Sequence, residues 1–327
     1  MSDAPSPSPS PSPIDRAIAL LHAGEVVGVP TETVYGLAAD AVNDRAVRQV
    51  FALKQRPPER AVSLLIAKAE QMPHWVGKVP EAVWRLAEAF WPGPLTLVLP
   101  AADHVLPRLT AGSGSIGLRV PDHPLTLALL TEFTSALAAP SANLSGGLSP
   151  TSAQQVTQVF ADAVPLVLDG GACRLGIEST VMSLVGKVPC ILRAGAIDSV
   201  HISDVLGQPV QLQRSAVGGE PGHLALTIRI VQPDELEAVV AAMTDDDRTR
   251  TAILSRRPVQ TACCRWQQMP VSPAEYAYTL YQTLNRLYTE GMSLLLVEAL
   301  PDSPQWQGLS SRLQRMALLA APANERQ

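Results

Sequence analysis

Three cations fall within seven residues, Lys54, Arg56 and Arg60, with Pro57 and Pro58 wedged between them. The chain carries only four lysines and a formal net charge of −5, so this cluster stands out against an acidic background. A stiff, multiply cationic loop on such a protein reads as a local anion site or as a solvated basic turn, not as a surface for coating polyanions. Arg119 and Arg193 add charge further along, and Thr31, Thr33, Ser141, Asn143, Ser149, Ser179 and Thr180 add small hydroxyl and amide groups in segments that follow predicted strands. That inventory suits a reaction needing charge neutralisation and positioning more than proton shuttling, as in phosphoryl and nucleotidyl transfer. Arginine forks also fit carboxylate ligands. No Ser-His-Asp or Cys-His pattern is present. His123 sits in a turn between Asp122 and Pro124, and Glu32, Asp169 and Glu178 stand alone in sequence, where capping or packing roles are the common ones.

The elements that must position these groups come from a chain of 327 residues, 46% hydrophobic and 17% charged, which is material for about two cored domains. A pI near 5.7 argues against a nucleic-acid coat, while a small RNA contact stays open. Cys173, Cys190, Cys263 and Cys264 form no Cys-x-x-Cys pair, which argues against structural zinc and for reduced thiols in a cytoplasmic protein. Residues 1–13, a Pro-Ser repeat without basic or apolar runs, read as a disordered tail and not as a signal peptide. The apolar run 294–300 contains Glu298 and is too short to span a bilayer.

Periodicity predicts helices over 14–22, 45–53, 81–91 and 126–132, and strands over 26–29, 62–66, 95–99, 116–120, 136–139, 164–168, 181–184 and 190–193. Thr31, directly after a strand, reads as a helix N-terminus, and Thr151 with Gln154 as a capping box opening a helix to about 160. Residues 112–117 match G-x-G-x-x-G but lead into a strand, whereas the dinucleotide fingerprint must open a helix. A polar, Gly-rich linker is placed at 201–223, between a domain at 14–200 and another at 224–327. In the latter, strands at 224–231, 252–255 and 294–298 alternate with helices at 234–243, 274–290 and 309–320.

Several segments are recognisable in order: VPTETVYGLAADA (29–41), KQRPPER (54–60), WPGPLTLVL (91–99), GLRVPDHP (117–124), APSANLSG (139–146) with SPT (149–151), DGG (169–171), GIESTV (176–181) and LRAGAI (192–197). Together they cover nearly all of 14–200, and the chain resembles the YrdC-type threonylcarbamoyl-AMP synthases in their long two-domain form. The C-terminal resemblance rests mainly on GLSSRLQRMA (308–317).

The resemblance implies an α/β fold: a twisted mixed sheet with flanking helices and a cationic concave pocket, then a smaller Rossmann-like open α/β domain. It implies synthesis of threonylcarbamoyl-AMP from L-threonine, bicarbonate and ATP, with Mg2+ accompanying ATP and no structural metal. The product would pass to the machinery that threonylcarbamoylates tRNA. By resemblance Lys54, Arg56, Ser141 and Asn143 are catalytic and line the nucleotide pocket. Arg60 is placed beside ATP as the unusual member of its cluster; Ser115, Ser149 and Arg193 are implied ATP ligands, and Thr31, Arg119, Ala139 (through its backbone) and Ser179 threonine ligands. The chain departs from the family's pattern at Arg60, at Leu65 where many members have His, and at Thr227-Ile228 where a His-Tyr pair is usual. Two other readings use the same residues: a non-catalytic RNA-binding or ribosome-assembly module, and a carbamoyltransferase-like protein.

Overall fold

The computed structural model describes residues 11–213, 226–259 and 264–320. Helices are α1 (Pro13–His22), α2 (Asp44–Lys54), α3 (Met72–Trp75), α4 (Glu81–Phe90), α5 (Pro107–Thr110), α6 (Pro124–Phe133), α7 (Ala153–Phe160), α8 (Ser199–Leu206), α9 (Leu236–Ala241), α10 (Asp245–Thr249), α11 (Pro273–Thr289) and α12 (Gln307–Ala320). Strands are β1 (Val27–Val29), β2 (Gly36–Asp40), β3 (Leu64–Leu65), β4 (Leu95–Pro100), β5 (Ser115–Arg119), β6 (Leu137–Ala138), β7 (Thr180–Ser183), β8 (Cys190–Arg193), β9 (Gln211–Leu212), β10 (Thr227–Val231), β11 (Thr251–Ser255), β12 (Arg265–Gln268) and β13 (Leu294–Glu298).

The first nine strands form one mixed sheet ordered β1-β2-β6-β3-β5-β4-β7-β8-β9. Its pleat sends successive side chains to opposite faces. In β2, Leu37 and Ala39 join the core under α7, while Ala38 joins the one under α1 and α6; in β3, Leu64 and Leu65 likewise part company. A larger core, with Leu95, Leu97 and Leu99 of β4, is covered by α2, α4 and α8. The last four strands form a separate, all-parallel sheet ordered β10-β13-β11-β12. The structure therefore has the expected mixed sheet followed by a smaller open α/β unit.

Five expectations shift. The helix α1 begins at Pro13, inside the expected tail, because Ser12 and Asp15 form a capping box. Residues 31–35 form no helix: the Thr31 hydroxyl donates to the Val34 carbonyl (2.6 Å) and accepts from the Thr33 and Val34 amides (3.2 Å each), closing a turn through its side chain. The expected cap at Thr151 moves by one, to Ser152, and Gln155 instead accepts from the Thr151 amide (2.7 Å). Residues 164–168 contribute only a single bridge, Gly28 to Val167, because the neighbouring edge strand β1 is three residues long. The expected linker starts late: Asp198 caps α8, and β9 pairs parallel with β8, so the first sheet continues to Leu212. The rest of the expected linker from 214 to 223, the first two residues of the expected strand 224–231, and Cys263 lie outside the described residues.

At one tight point the two units meet through glycines. A Cβ on Gly308, in the first turn of α12, would run into the Gly195 carbonyl oxygen. One on Gly195 would lie 2.5 Å from the backbone of residues 178–180. Val34 and Ile177 of the first unit are buried in the same cluster as Tyr276, Leu280, Leu309 and Leu313 of the second. Gly308→Ala is expected to force α12 off this seam, costing about 1–3 kcal/mol as overpacking does and lowering Tm. Gly77→Ala, where a Cβ meets nothing within 4 Å, should leave Tm unchanged in the same thermal melts.

Candidate functional site

The helix α2 is built so that its core stripe ends in a charge. Val47, Val50, Phe51 and Lys54 share its buried side at helical spacing, and Lys54 is 1% exposed. Gln55 then adopts a left-handed conformation (φ 50°) that ends the helix and turns Arg56-Pro57-Pro58 away. The Lys54 ammonium donates to the carbonyls of Ser141 (2.5 Å) and Asn143 (2.6 Å), two of its three available bonds. The loop that supplies those carbonyls is held by its own side chains. Ser141 Oγ donates to Asn143 Oδ1 (2.6 Å), and Asn143 Nδ2 donates to the carbonyls of Leu144 (2.7 Å) and Gly147 (2.9 Å). Arg56 anchors the cationic loop through the carbonyls of Arg60 (3.2 Å) and Ala61 (2.6 Å).

A second group of residues sits at the C-terminal end of β5. Arg119, 7% exposed, donates from Nε to the Gly93 carbonyl (3.1 Å) and from Nη2 to Thr33 Oγ1 (2.9 Å). Thr33 and Thr31 hydroxyls lie 2.8 Å apart, and Thr31 donates onward to Val34, so the proton direction runs from Arg119 through both threonines. Glu32 Oε1 forms a buried ion pair with Arg119 (2.7 Å), while Oε2 accepts from the Asp122 amide (3.0 Å).

Arg193 links the two groups. It donates to the Ser179 carbonyl from Nε (3.1 Å) and Nη2 (2.8 Å) and to Ser179 Oγ (3.0 Å), and that hydroxyl also pairs with Thr96 (2.8 Å). Glu178, beside it, accepts from Ser149 Oγ (2.8 Å) and from the Tyr281 hydroxyl of the second unit at both oxygens (2.9 and 3.1 Å). Arg312 Nη2 stands 3.5 Å from its Oε1.

The electrostatics follow from this crowding. Burial, followed by Arg56, pulls the Lys54 ammonium down to about 7. Burial, then Arg60 and Arg193, brings Arg56 down to about 10. Arg193 is lowered by burial, against an upward pull from Glu178 and with further lowering by Arg315, Arg312 and Arg119. For Glu178, burial raises the pKa, but Arg312, Arg193 and the Ser149 and Tyr281 hydrogen bonds outweigh it and hold the carboxyl at about 2. The result is a wall of cations beside a tightly held carboxylate, Glu178, an arrangement that favours a polyanion.

Most of the residues singled out in the sequence therefore lie in one connected region: Lys54, Arg56, Arg60, Ser141, Asn143, Ser149, Ser179, Arg193, Arg119 and Thr31. Ser115 stands apart from Arg119, at the opposite end of β5, with its hydroxyl 2.9 Å from Ser113 Oγ. The Ala139 amide is already donated to the Ser63 carbonyl (3.1 Å), so a backbone contact from this residue would come from its carbonyl. Leu65 is buried in the core beneath α6, and Ile228 in the core of the second unit. Sequence reasoning passed over Thr33 as a partner of Arg119, treated Glu178 as a packing carboxylate, and missed Tyr281, Arg312 and Arg315. The signal for the last two was the three-residue spacing of the arginines within GLSSRLQRMA.

Comparison with known proteins places this geometry. The Sua5/YciO/YrdC family model, described as telomere recombination, matches residues 19–195. A threonylcarbamoyl-AMP synthase of Bacillus subtilis is 34% identical over 326 residues, covering 93% of this chain and 92% of its own length. A threonylcarbamoyl-AMP synthase of Pyrococcus abyssi is 42% identical over 193 residues, 59% of this chain and 56% of its own. The crystal structure of P. abyssi Sua5 complexed with L-threonine aligns with a TM-score of 0.86 at 30% identity, over 94% of each chain.

A Lys54 pKa of about 7 makes anion binding pH-dependent. A bound polyanion favours the charged ammonium, which is lost from the free protein as pH rises through 7. The affinity of the wild type for inorganic pyrophosphate, divided by that of Lys54→Met to cancel the ligand's own titration, is expected to fall on the order of tenfold between about pH 6.5 and 8.5. Calorimetry across that range checks it; a flat ratio contradicts it.

Proposed function

The chain belongs to the Sua5/YciO/YrdC family, and on that premise we propose that it is a threonylcarbamoyl-AMP synthase acting on L-threonine, bicarbonate and ATP. The observation that carries this reading is the adjacency of two sub-sites, the Arg119–Thr33–Thr31 group and the Lys54–Arg56–Arg60–Arg193 wall, brought together by Arg193, which acts on Arg56 and is acted on by Arg119. The first suits an amino acid: Arg119 offers N–H groups to its carboxylate, and the threonine hydroxyls offer short-range hydrogen-bonding partners. The second suits a triphosphate.

The chemistry follows from that division. Threonine's amine condenses with bicarbonate to a carbamate, releasing water. A carbamate oxygen attacks the α-phosphorus of ATP, and the bond to the β-phosphate oxygen breaks, leaving threonylcarbamoyl-AMP and pyrophosphate. Charge concentrates on the phosphates in the transition state, where Lys54, Arg56 and Arg193 stabilise it in a partly desolvated site. Ser141 and Asn143 hold the loop whose carbonyls fix Lys54, and by resemblance they line the nucleotide pocket along with Ser115, Ser149 and Arg60. Ala139 and Ser179 are proposed to contact threonine. The product serves threonylcarbamoylation of the tRNA adenosine beside the anticodon, through a separate transferase machinery, and the enzyme works in the cytoplasm. No described helix is long and apolar enough to cross a membrane.

A metal would come with the nucleotide. Among the described residues no group of three His, Cys, Asp or Glu side chains is placed to hold one, and Glu32 and Glu178 are already engaged. We propose that Mg2+ enters as part of the ATP substrate, liganded by phosphate oxygens and water.

Nucleotide chromatography after incubation with ATP and bicarbonate tests the reading. Threonine is expected to give a new adenylate. Serine, lacking one methyl, should give roughly 10–200-fold less, and valine, lacking the hydroxyl, far less still. Lys54→Ala and Arg56→Ala should each cut adenylate formation at least tenfold, about 1.4 kcal/mol. ATP turnover indifferent to threonine would contradict the assignment.

A further inference from the structure

The helix α12 closes the second unit with Leu309, Leu313 and Met316 packed into its core, yet its Arg312 reaches the other unit. Arg312 lies with its guanidinium 5.3 Å from the Tyr281 ring centroid and 3.5 Å from Glu178 of the first unit, and its Nε is buried with no hydrogen-bond partner. Arg315 follows three residues later, so its side chain projects from the same face of the helix. It is half-buried, and among the described residues it has neither a carboxylate nor a carbonyl partner. The charged and titratable groups that act on it are Arg312, Glu178, Tyr281 and Arg60, and it in turn acts on Arg193. The one carboxylate among them, Glu178, is already shared by Ser149, Tyr281 and Arg312.

A half-buried guanidinium with no carboxylate or carbonyl partner among the described residues, acted on by Arg60 and acting on Arg193, is a costly arrangement for a protein in isolation. It becomes favourable once a polyanion lies between the units. We propose that Arg315, delivered by the second unit, binds the polyphosphate of the nucleotide opposite Arg60 and Arg193, and that Arg312 positions it by gripping Glu178. The site is then complete only when α12 is docked, which gives the second unit a direct part in substrate binding. The proposal rests on the reading of the first unit as a triphosphate site.

The test uses the full-length protein and inorganic pyrophosphate, with threonine binding as the internal control, both by calorimetry. Arg315→Ala is expected to weaken pyrophosphate binding at least tenfold and to raise KM for ATP, while leaving threonine affinity at the wild-type value and Tm at or above it. Arg315→Lys should recover part of the loss, because it keeps the charge but not the fork. A structural role alone would lower Tm or threonine affinity in Arg315→Ala and would not be rescued in pyrophosphate affinity by Lys; that pattern overturns the proposal, as does wild-type pyrophosphate affinity in Arg315→Ala. The two readings fail separately. A wild type that binds pyrophosphate through Arg315 but forms no threonine-dependent adenylate sinks the proposed reaction and leaves the anion site standing. A wild type that forms the adenylate while Arg315→Ala binds pyrophosphate normally sinks the Arg315 assignment alone.

Discussion

Like-charge crowding is the constraint on which this structure turns. Lys54, Arg56, Arg60, Arg193, Arg312 and Arg315 act on one another, and Glu178 is the carboxylate set among them. Two unit charges about 4 Å apart interact by roughly 4 kcal/mol at the effective dielectric of a protein surface. A few uncompensated contacts of that kind would consume much of a domain's net stability of about 5–15 kcal/mol. The scaffold answers in two ways. It satisfies the cations' N–H groups with backbone carbonyls, as at Lys54, Arg56 and Arg193, and it keeps Glu178 ionised through Arg312 and Arg193, helped by hydroxyl donors from both units. Carbonyls satisfy hydrogen bonds but do not neutralise charge, so the remaining imbalance is an affinity for polyanions.

Glu178 also ties the two units together. It takes hydrogen bonds from Ser149 of the first unit and Tyr281 of the second, and an ion pair from Arg312. The glycine seam at Gly195 and Gly308 brings α12 close enough for that ion pair to form. Charge balance among these cations and docking of the second unit are therefore one electrostatic problem. A phosphate ligand that relieves the first should reinforce the second.

The parts of this arrangement that were legible in the sequence are those set by local pattern. The stripe Val47, Val50, Phe51, Lys54 is visible as a helix that ends in a cation, and most strands of both sheets announce themselves by apolar runs. Part of what sequence reasoning misjudged depended on partners far along the chain. Residues 164–168 are apolar enough for a strand, but the edge they meet is too short to pair with them for more than one bridge. Residues after 200 look like a linker because α8 and β9 are short, yet β8 offers an open edge for β9. Thr31 resembles a helix cap because capping and side-chain-closed turns use the same hydroxyl geometry. Arg312 and Arg315 lie more than a hundred residues beyond Arg193, and only the docking of α12 reveals that they act on it.

The central claim is that this charge balance holds ATP for attack at its α-phosphorus, with pyrophosphate leaving. Exchange of radiolabelled pyrophosphate into ATP measures that step directly, since the reverse reaction re-forms ATP from the bound adenylate. Label is expected to enter ATP only when threonine and bicarbonate are both present. Exchange with ATP alone, or with threonine in bicarbonate-free buffer, would contradict the account, as would adenylate formation with no exchange at saturating pyrophosphate.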